Sequence, residues 1–175
     1  MKYEHWQIPA APEDAIKTLM DAGYPYLVSS VLAARGVTTS EQAAEALERE
    51  KTLAHSPFLM KDMDKAVERV ERAVANNEKI MVYGDYDVDG CTAVALVYKF
   101  LRQIGHKNLM FYIPDRYTEG YGISVKGIDL AARKGVGLII ALDCGIKATE
   151  KVVYAKTKGV DFIICDHHLP AEEIP

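Results

Sequence analysis

The chain has 175 residues, 21 lysines and arginines against 25 aspartates and glutamates, and a net charge of −4. That length holds one domain of ordinary size with a small helical extension, and 49% apolar residues is the composition of a globular core, not of disorder. The charge speaks against a strongly basic nucleic-acid grip but leaves room for binding through metal and a local basic patch. No apolar run reaches the ~18 residues a bilayer span requires, and the opening Met1-Lys2-Tyr3-Glu4-His5 lacks a signal-peptide shape. A cytoplasmic protein with no membrane partner is the expectation.

Residues 1–57 read as a helical region. Pro12-Glu13-Asp14 opens a helix through Ala15, Ile16, Leu19 and Met20, which Gly23 ends. A second pattern runs from Tyr26 to Ala34 and closes at Arg35-Gly36. A third begins at Thr39-Ser40-Glu41-Gln42, with Ser40 as the expected N-cap and Ala43, Ala44 and Leu47 on one face. Nothing there resembles a reaction centre, and His55 reads as structural.

Residues 58–175 change character. Asp62 or Asp64 caps a helix striped by Ala66, Val67, Val70, Ala73 and Val74, which ends at Asn76-Asn77. From Lys79 the period shifts. Ile80–Tyr83 is a buried strand, Cys91–Ile104 a helix, Leu109–Ile113 a strand, and Ser124 caps a helix to Lys134. Leu138–Leu142 is the third strand, Ala148–Lys158 a helix, and Phe162–Cys165 the fourth strand. Alternating strands and helices with continuously apolar strands predict an α/β fold, a parallel open sheet with helices on both faces. Cys91, Cys144 and Cys165 are odd in number, widely spaced and next to apolar runs, the pattern of buried reduced thiols.

Open parallel sheets bind ligands at the carboxyl ends of their strands. Each strand here is followed at once by polar residues: Asp85, Asp87 and Asp89; then Pro114-Asp115-Arg116 with Glu119-Gly120-Tyr121-Gly122; then Asp143-Cys144-Gly145; then Asp166-His167-His168. Carboxylates and imidazoles converging from distant segments make a metal site, and this mix suits manganese, with magnesium or another divalent ion possible. The number of acids points to two divalent ions roughly 3.5–4 Å apart. Taken singly, Asp89 would also serve as a helix cap, Asp143 as a turn residue and Arg116 as a surface partner of Asp115 or Glu119. A calcium EF-hand loop is excluded, because its twelfth position is Leu96 and a strand precedes it. A phosphatase using the first acid of an Asp-x-Asp as nucleophile leaves the terminal Asp-His-His without a role.

These four motifs, in this order, resemble those of the DHH phosphoesterases, and the similarity runs from about Phe58 to Pro175. The Gly-Tyr-Gly loop favours the family's single-strand-specific DNA exonucleases over its oligonucleotide phosphodiesterases and pyrophosphatases. The resemblance implies that Asp87, Asp89, Asp143 and His167 ligate metal, with Asp143 bridging two ions. It implies that Asp85 is a supporting or ligating acid, that Asp166 orients the histidines, that His168 contacts the scissile phosphate, and that Arg116 is a further phosphate contact. His168, Asp143 and Asp85 then form the catalytic group of a metal-assisted phosphodiester hydrolysis. The implied substrate is single-stranded DNA, cut from 5′ to 3′ in repair or recombination, with repair or replication proteins as partners. Family members continue beyond the position of Pro175 with another ligating aspartate and further domains. The chain is therefore expected to be an amino-terminal piece, weak or inactive alone. A phosphodiesterase of short oligonucleotides or cyclic dinucleotides, or a non-catalytic replication scaffold, are the alternatives.

Overall fold

The computed structural model describes residues 10–47 and 55–175 and divides into two compact units, Met1–Leu59 and Met60–Pro175. The parts of the expected helical region at 1–9 and 48–54 lie outside the described residues.

In the first unit, α1 (Glu13–Asp21), α2 (Tyr26–Ala34) and α3 (Ser40–Leu47) are short helices, followed by a 3-10 turn at Pro57–Leu59. Leu19, Leu32 and Ala43 meet at their centre, one side chain from each helix. Proline opens two of these helices, at Pro12 and Pro25, where its missing N–H costs nothing. The third is capped one residue earlier than expected. Thr39 Oγ1 accepts from Gln42 N at 3.3 Å, and Gln42 Oε1 accepts from Thr38 N at 2.8 Å and Thr39 N at 3.3 Å. This is a reciprocal box that the glutamine selects.

The second unit begins with α4 (Met63–Ala75). Asp62 occupies its N-cap position in a left-handed conformation (φ 56°), but its carboxylate faces Lys65 Nζ at 2.6 Å rather than a backbone N–H. Then follow β1 (Lys79–Gly84), α5 (Val88–Gln103), β2 (Leu109–Tyr112), α6 (Val125–Arg133), β3 (Val136–Leu142), α7 (Thr149–Thr157) and β4 (Asp161–Cys165). All strand pairs are parallel, in the order β2-β1-β3-β4. Side chains alternate across the pleat. Ile80, Val82, Leu138 and Ile140 therefore pack with α4 and α5 (Ala73, Val94, Leu101) on one face. Met81, Tyr83, Ile139 and Ala141 pack with α6 and α7 (Ile128, Ala131, Ala155) on the other. The expected doubly covered parallel sheet is present.

The cysteines differ from expectation. Cys144 is buried, but Cys91 and Cys165 are exposed, the first in the opening turn of α5 and the second at the end of edge strand β4. All three are free thiols.

Topology places the site. The chain leaves β1 toward β2 on one side, then crosses back to β3 on the other, so the switch point lies between β1 and β3. Register pairs Gly84 with Leu142, and Leu142 with Cys165. The next residues of the three strands, Asp85, Asp143 and Asp166, thus leave the sheet at one level.

Candidate metal centre

The loop after β1 turns sharply into α5. Asp87 is the N-cap, its Oδ1 accepting from Gly90 N at 2.9 Å. Helix α5 therefore starts at Val88, three residues before the apolar periodicity alone predicts, and Asp89 sits in its first turn instead of capping it. Both carboxylates are exposed and lie where the positive end of the helix dipole favours them. A Cβ at Gly90 would stand 2.5 Å from the carbonyl oxygen of Asp85 and 2.6 Å from its nitrogen, so only glycine lets helix and strand end approach this closely. Asp85 lies underneath and is 1% exposed. Its Oδ1 is a long 3.5 Å from Gly122 N, and its Oδ2 has no hydrogen-bond partner among the described residues.

Asp143 follows β3 in the left-handed region, φ 59°, while its N–H continues the ladder to Cys165 O at 2.8 Å. For a non-glycine residue this conformation is uncommon, and aspartate is among the few that tolerate it. It turns the 8% exposed side chain toward the end of β4, where His167 Nε2 lies 3.0 Å from Asp143 Oδ1. Burial, and then the charge of Asp87, push the Asp143 carboxyl above its usual range, with His167 and His168 opposing.

Asp166 is almost fully covered. Its Oδ2 accepts from Ile146 N at 3.0 Å, and its Oδ1 accepts from His168 N at 3.1 Å and lies 2.6 Å from His168 Nδ1. Burial opposes its ionisation, but these donors outweigh it and hold the carboxyl below its usual range. The same contact raises His168 and keeps a proton on Nδ1. The Tyr121 hydroxyl lies 3.2 Å from His168 Nε2 and 3.3 Å from its Nδ1, and it is also 3.3 Å from the carbonyl oxygen of Asp143.

Of the residues expected to ligate metal, Asp143 and His167 fall in one tight group, and the third member is His168. Their donor atoms lie within 4.8 Å of one another. Asp87 and Asp89 stand outside that group, although both are near enough to raise the Asp143 carboxyl. Hard carboxylate oxygens beside imidazole nitrogens, with an unpartnered buried oxygen on Asp85, form a donor set that fits a divalent cation. Arg116 is exposed and has no carboxylate partner among the described residues. Its guanidinium lies 5.1 Å from the centre of the Tyr86 ring, which meets Tyr121 edge-on at 6.4 Å. Asp115 instead accepts from Tyr117 N and Thr118 N. The two tyrosines were given no role by sequence reasoning. The available signal was an aromatic residue between two glycines, Gly120 and Gly122, both of positive φ. A cavity of about 410 Å³ opens beside His168, lined by Tyr121, Ile123, Ile146, Lys147 and Thr149 among others.

An open parallel sheet with acids and imidazoles gathered at the carboxyl ends of its strands belongs to the class of folds that can hold a divalent cation beside a ligand there. The model of the DHH family, N-terminal domain, matches residues 79–175, and the chain belongs to that family. It is 39% identical over 171 residues to the single-stranded-DNA-specific exonuclease RecJ of Bacillus subtilis (strain 168), covering 97% of this chain and 22% of that protein. A crystal structure of exonuclease RecJ bound to manganese aligns with a TM-score of 0.61 at 31% identity, over 66% of this chain and 30% of that one. The RecJ of Thermus thermophilus in complex with Mn2+ shares the fold, with a TM-score of 0.69 at 24% identity over 96% of this chain and 23% of that one. The chain spans about a quarter of the length of the curated exonucleases it matches. Among the described residues no helix is long and apolar enough to cross a membrane.

Proposed function

We propose that residues 58–175 are the amino-terminal part of a DHH catalytic domain, and that the protein to which they belong is a RecJ-type exonuclease hydrolysing single-stranded DNA from 5′ to 3′ in repair or recombination. The observation that carries this reading is the meeting of Asp143, His167 and His168 at the carboxyl ends of β3 and β4, beside the β1–β3 switch point where Asp85, Asp87 and Asp89 leave β1.

Asp143 and His167 would hold a divalent cation, manganese or magnesium, and Asp87 and Asp89 together with Asp143 would hold a second. Such ions supply Lewis-acid stabilisation of the reacting phosphate and an activated water. The chain's residues do the rest. Asp85 supports the acids from below. Asp166 fixes the His168 ring, which would contact the scissile phosphate. Arg116, stacked on Tyr86 and without an acidic partner among the described residues, would take a neighbouring phosphate of the strand. No side-chain nucleophile is required. Cys144 is buried and its thiol is pushed up to about 12, so it is not a thiolate at neutral pH.

The test is a chimera in which this chain replaces the matching segment of the Bacillus subtilis relative, assayed with manganese on end-labelled single-stranded and duplex DNA. Shortening of single strands from the 5′ end, reduced at least ~100-fold by Asp143→Asn and by His168→Ala, is expected for groups acting on the transition state. Digestion of short oligonucleotides alone would contradict the substrate class. A chimera that binds manganese and cleaves nothing would contradict the reaction.

A further inference from the structure

The loop between β2 and α6 carries Arg116 and Tyr121, yet it has no regular structure of its own. One side chain ties it to both β2 and α6. The Glu119 side chain is 4% exposed, and its two oxygens take four donors. Oε2 accepts from Tyr112 Oη at 2.7 Å and from Ser124 Oγ at 2.6 Å. Oε1 accepts from Asp115 N at 3.0 Å and from Lys126 Nζ at 3.4 Å. These donors lie at the end of β2, in the loop itself, at the N-cap of α6 and in the first turn of α6. A second buried hydroxyl extends the network to the central strand. Tyr83 Oη donates to Gly122 O at 3.0 Å and accepts from Ser124 N at 3.0 Å.

The network brackets Tyr121 on both sides, with Glu119 two residues before it and Gly122 just after. Tyr121 in turn reaches across to Asp143 O and the His168 ring. Its own flanking glycines supply no stiffness. The ring is half exposed, so packing does not fix it. Its position is set by where the loop is stapled.

We propose that Glu119 is a positioning residue of the metal centre. Its carboxylate staples the loop to β2 and α6, and so fixes the Tyr121 hydroxyl against His168 and Asp143. The inference rests on the nuclease reading only for its consequence in turnover, because the placement itself can be read without activity. Glu119 touches none of the grouped donors Asp143, His167 and His168. Four donors on one buried carboxylate also explain why it stays ionised, held down to about 2 against the cost of burial.

The experiment is nuclear Overhauser spectroscopy on the metal-free 175-residue chain, following the cross-peak between the Tyr121 and His168 rings, whose centres lie 5.8 Å apart. In Glu119→Ala the cross-peak should fall at least threefold while far-ultraviolet circular dichroism is retained. Glu119→Gln keeps the oxygen and the length, and should recover most of it. If the alanine variant does not fold, Tyr112→Phe removes a single donor at constant volume and should weaken the cross-peak. Cross-peaks of wild-type intensity in folded Glu119→Ala, or in Tyr112→Phe where that variant stands in, would overturn the proposal. So would a Gln variant no better than Ala. Manganese affinity within about twofold of wild type is expected throughout. A tenfold loss would mean that Glu119 acts on the metal site itself and would also overturn the proposal. A chimera with Glu119→Ala should show raised KM with a smaller change in kcat. A wild-type chimera without turnover would count against the nuclease reading and leave the ring measurement standing.

Discussion

The two edges of the sheet treat charge in opposite ways. At the amino ends of the strands, Arg69 from α4 lies over β1, β3 and β4. Its Nη1 and Nη2 donate to the two oxygens of Glu78 at 2.9 and 2.8 Å, and its Nε to Asp161 Oδ2 at 2.9 Å. A third contact reaches Gly137 O at 3.4 Å. Arg69, Glu78 and Asp161 are thus paired with one another. At the carboxyl ends, Asp85 is buried with an unpartnered oxygen, Asp143 is buried in a left-handed turn, and Asp87 and Asp89 add like charge beside it. The first arrangement lowers the free energy of the fold. The second raises it, and the divalent cation proposed above would offset that cost.

Glu119 sharpens that comparison, because it lies at the carboxyl edge yet is fully partnered. Its folded pKa is lowered from 4.5 to about 2, so it contributes stability that is present above about 4.5 and lost as pH falls toward 2. That contribution is on the order of 3 kcal/mol at neutral pH. Denaturant titrations from pH 7 to pH 2.5 should show the loss, and Glu119→Gln should flatten that part of the curve. An unchanged slope in the variant would break the rule that a satisfied carboxylate stabilises at either edge.

At the opposite edge, Arg69→Ala should cost about 2–3 kcal/mol, because it leaves Glu78 half-buried without its bidentate partner. The readout is a lower urea midpoint at constant slope, with manganese affinity unchanged. The smallest effect has the opposite sign. Asp85→Asn removes a buried charge that lacks a partner, and should raise metal-free stability by about 1 kcal/mol while weakening manganese binding. A destabilised Asp85→Asn that still binds manganese normally would make Asp85 a structural acid and dissolve the contrast.

Much of this was legible in the sequence because the signals are local. Four apolar runs alternating with helical stripes give the strands, and polar residues directly after each run must then meet at one edge. Ser124 as a cap is equally local, its hydroxyl accepting from Gly127 N at 2.9 Å. What escaped depends on contacts across the chain. Thr39 replaces Ser40 as cap because Gln42 reaches back to it. Cys165 is exposed because β4 is an edge strand, which its own residues do not reveal. The joining of His168 to Asp143 and His167 follows from the left-handed turn at Asp143 and the grip of Asp166 on His168, and neither is written in the spacing. Tyr121 gains its place only when the loop crosses to β3 and β4.

The most direct measurement is the thermal unfolding of wild type and Asp143→Asn, each without metal and with manganese. Asparagine tolerates the left-handed turn, so the substitution changes charge and not backbone. The exposed His167 contact it removes contributes little. The account predicts that metal-free Asp143→Asn melts a few degrees above wild type, since about 1 kcal/mol is worth roughly 4 °C or more in a unit of this size. It also predicts that manganese raises the wild-type transition and leaves the variant unmoved. A variant that melts below wild type, or equal manganese shifts in both proteins, would contradict a divalent-cation site centred on Asp143.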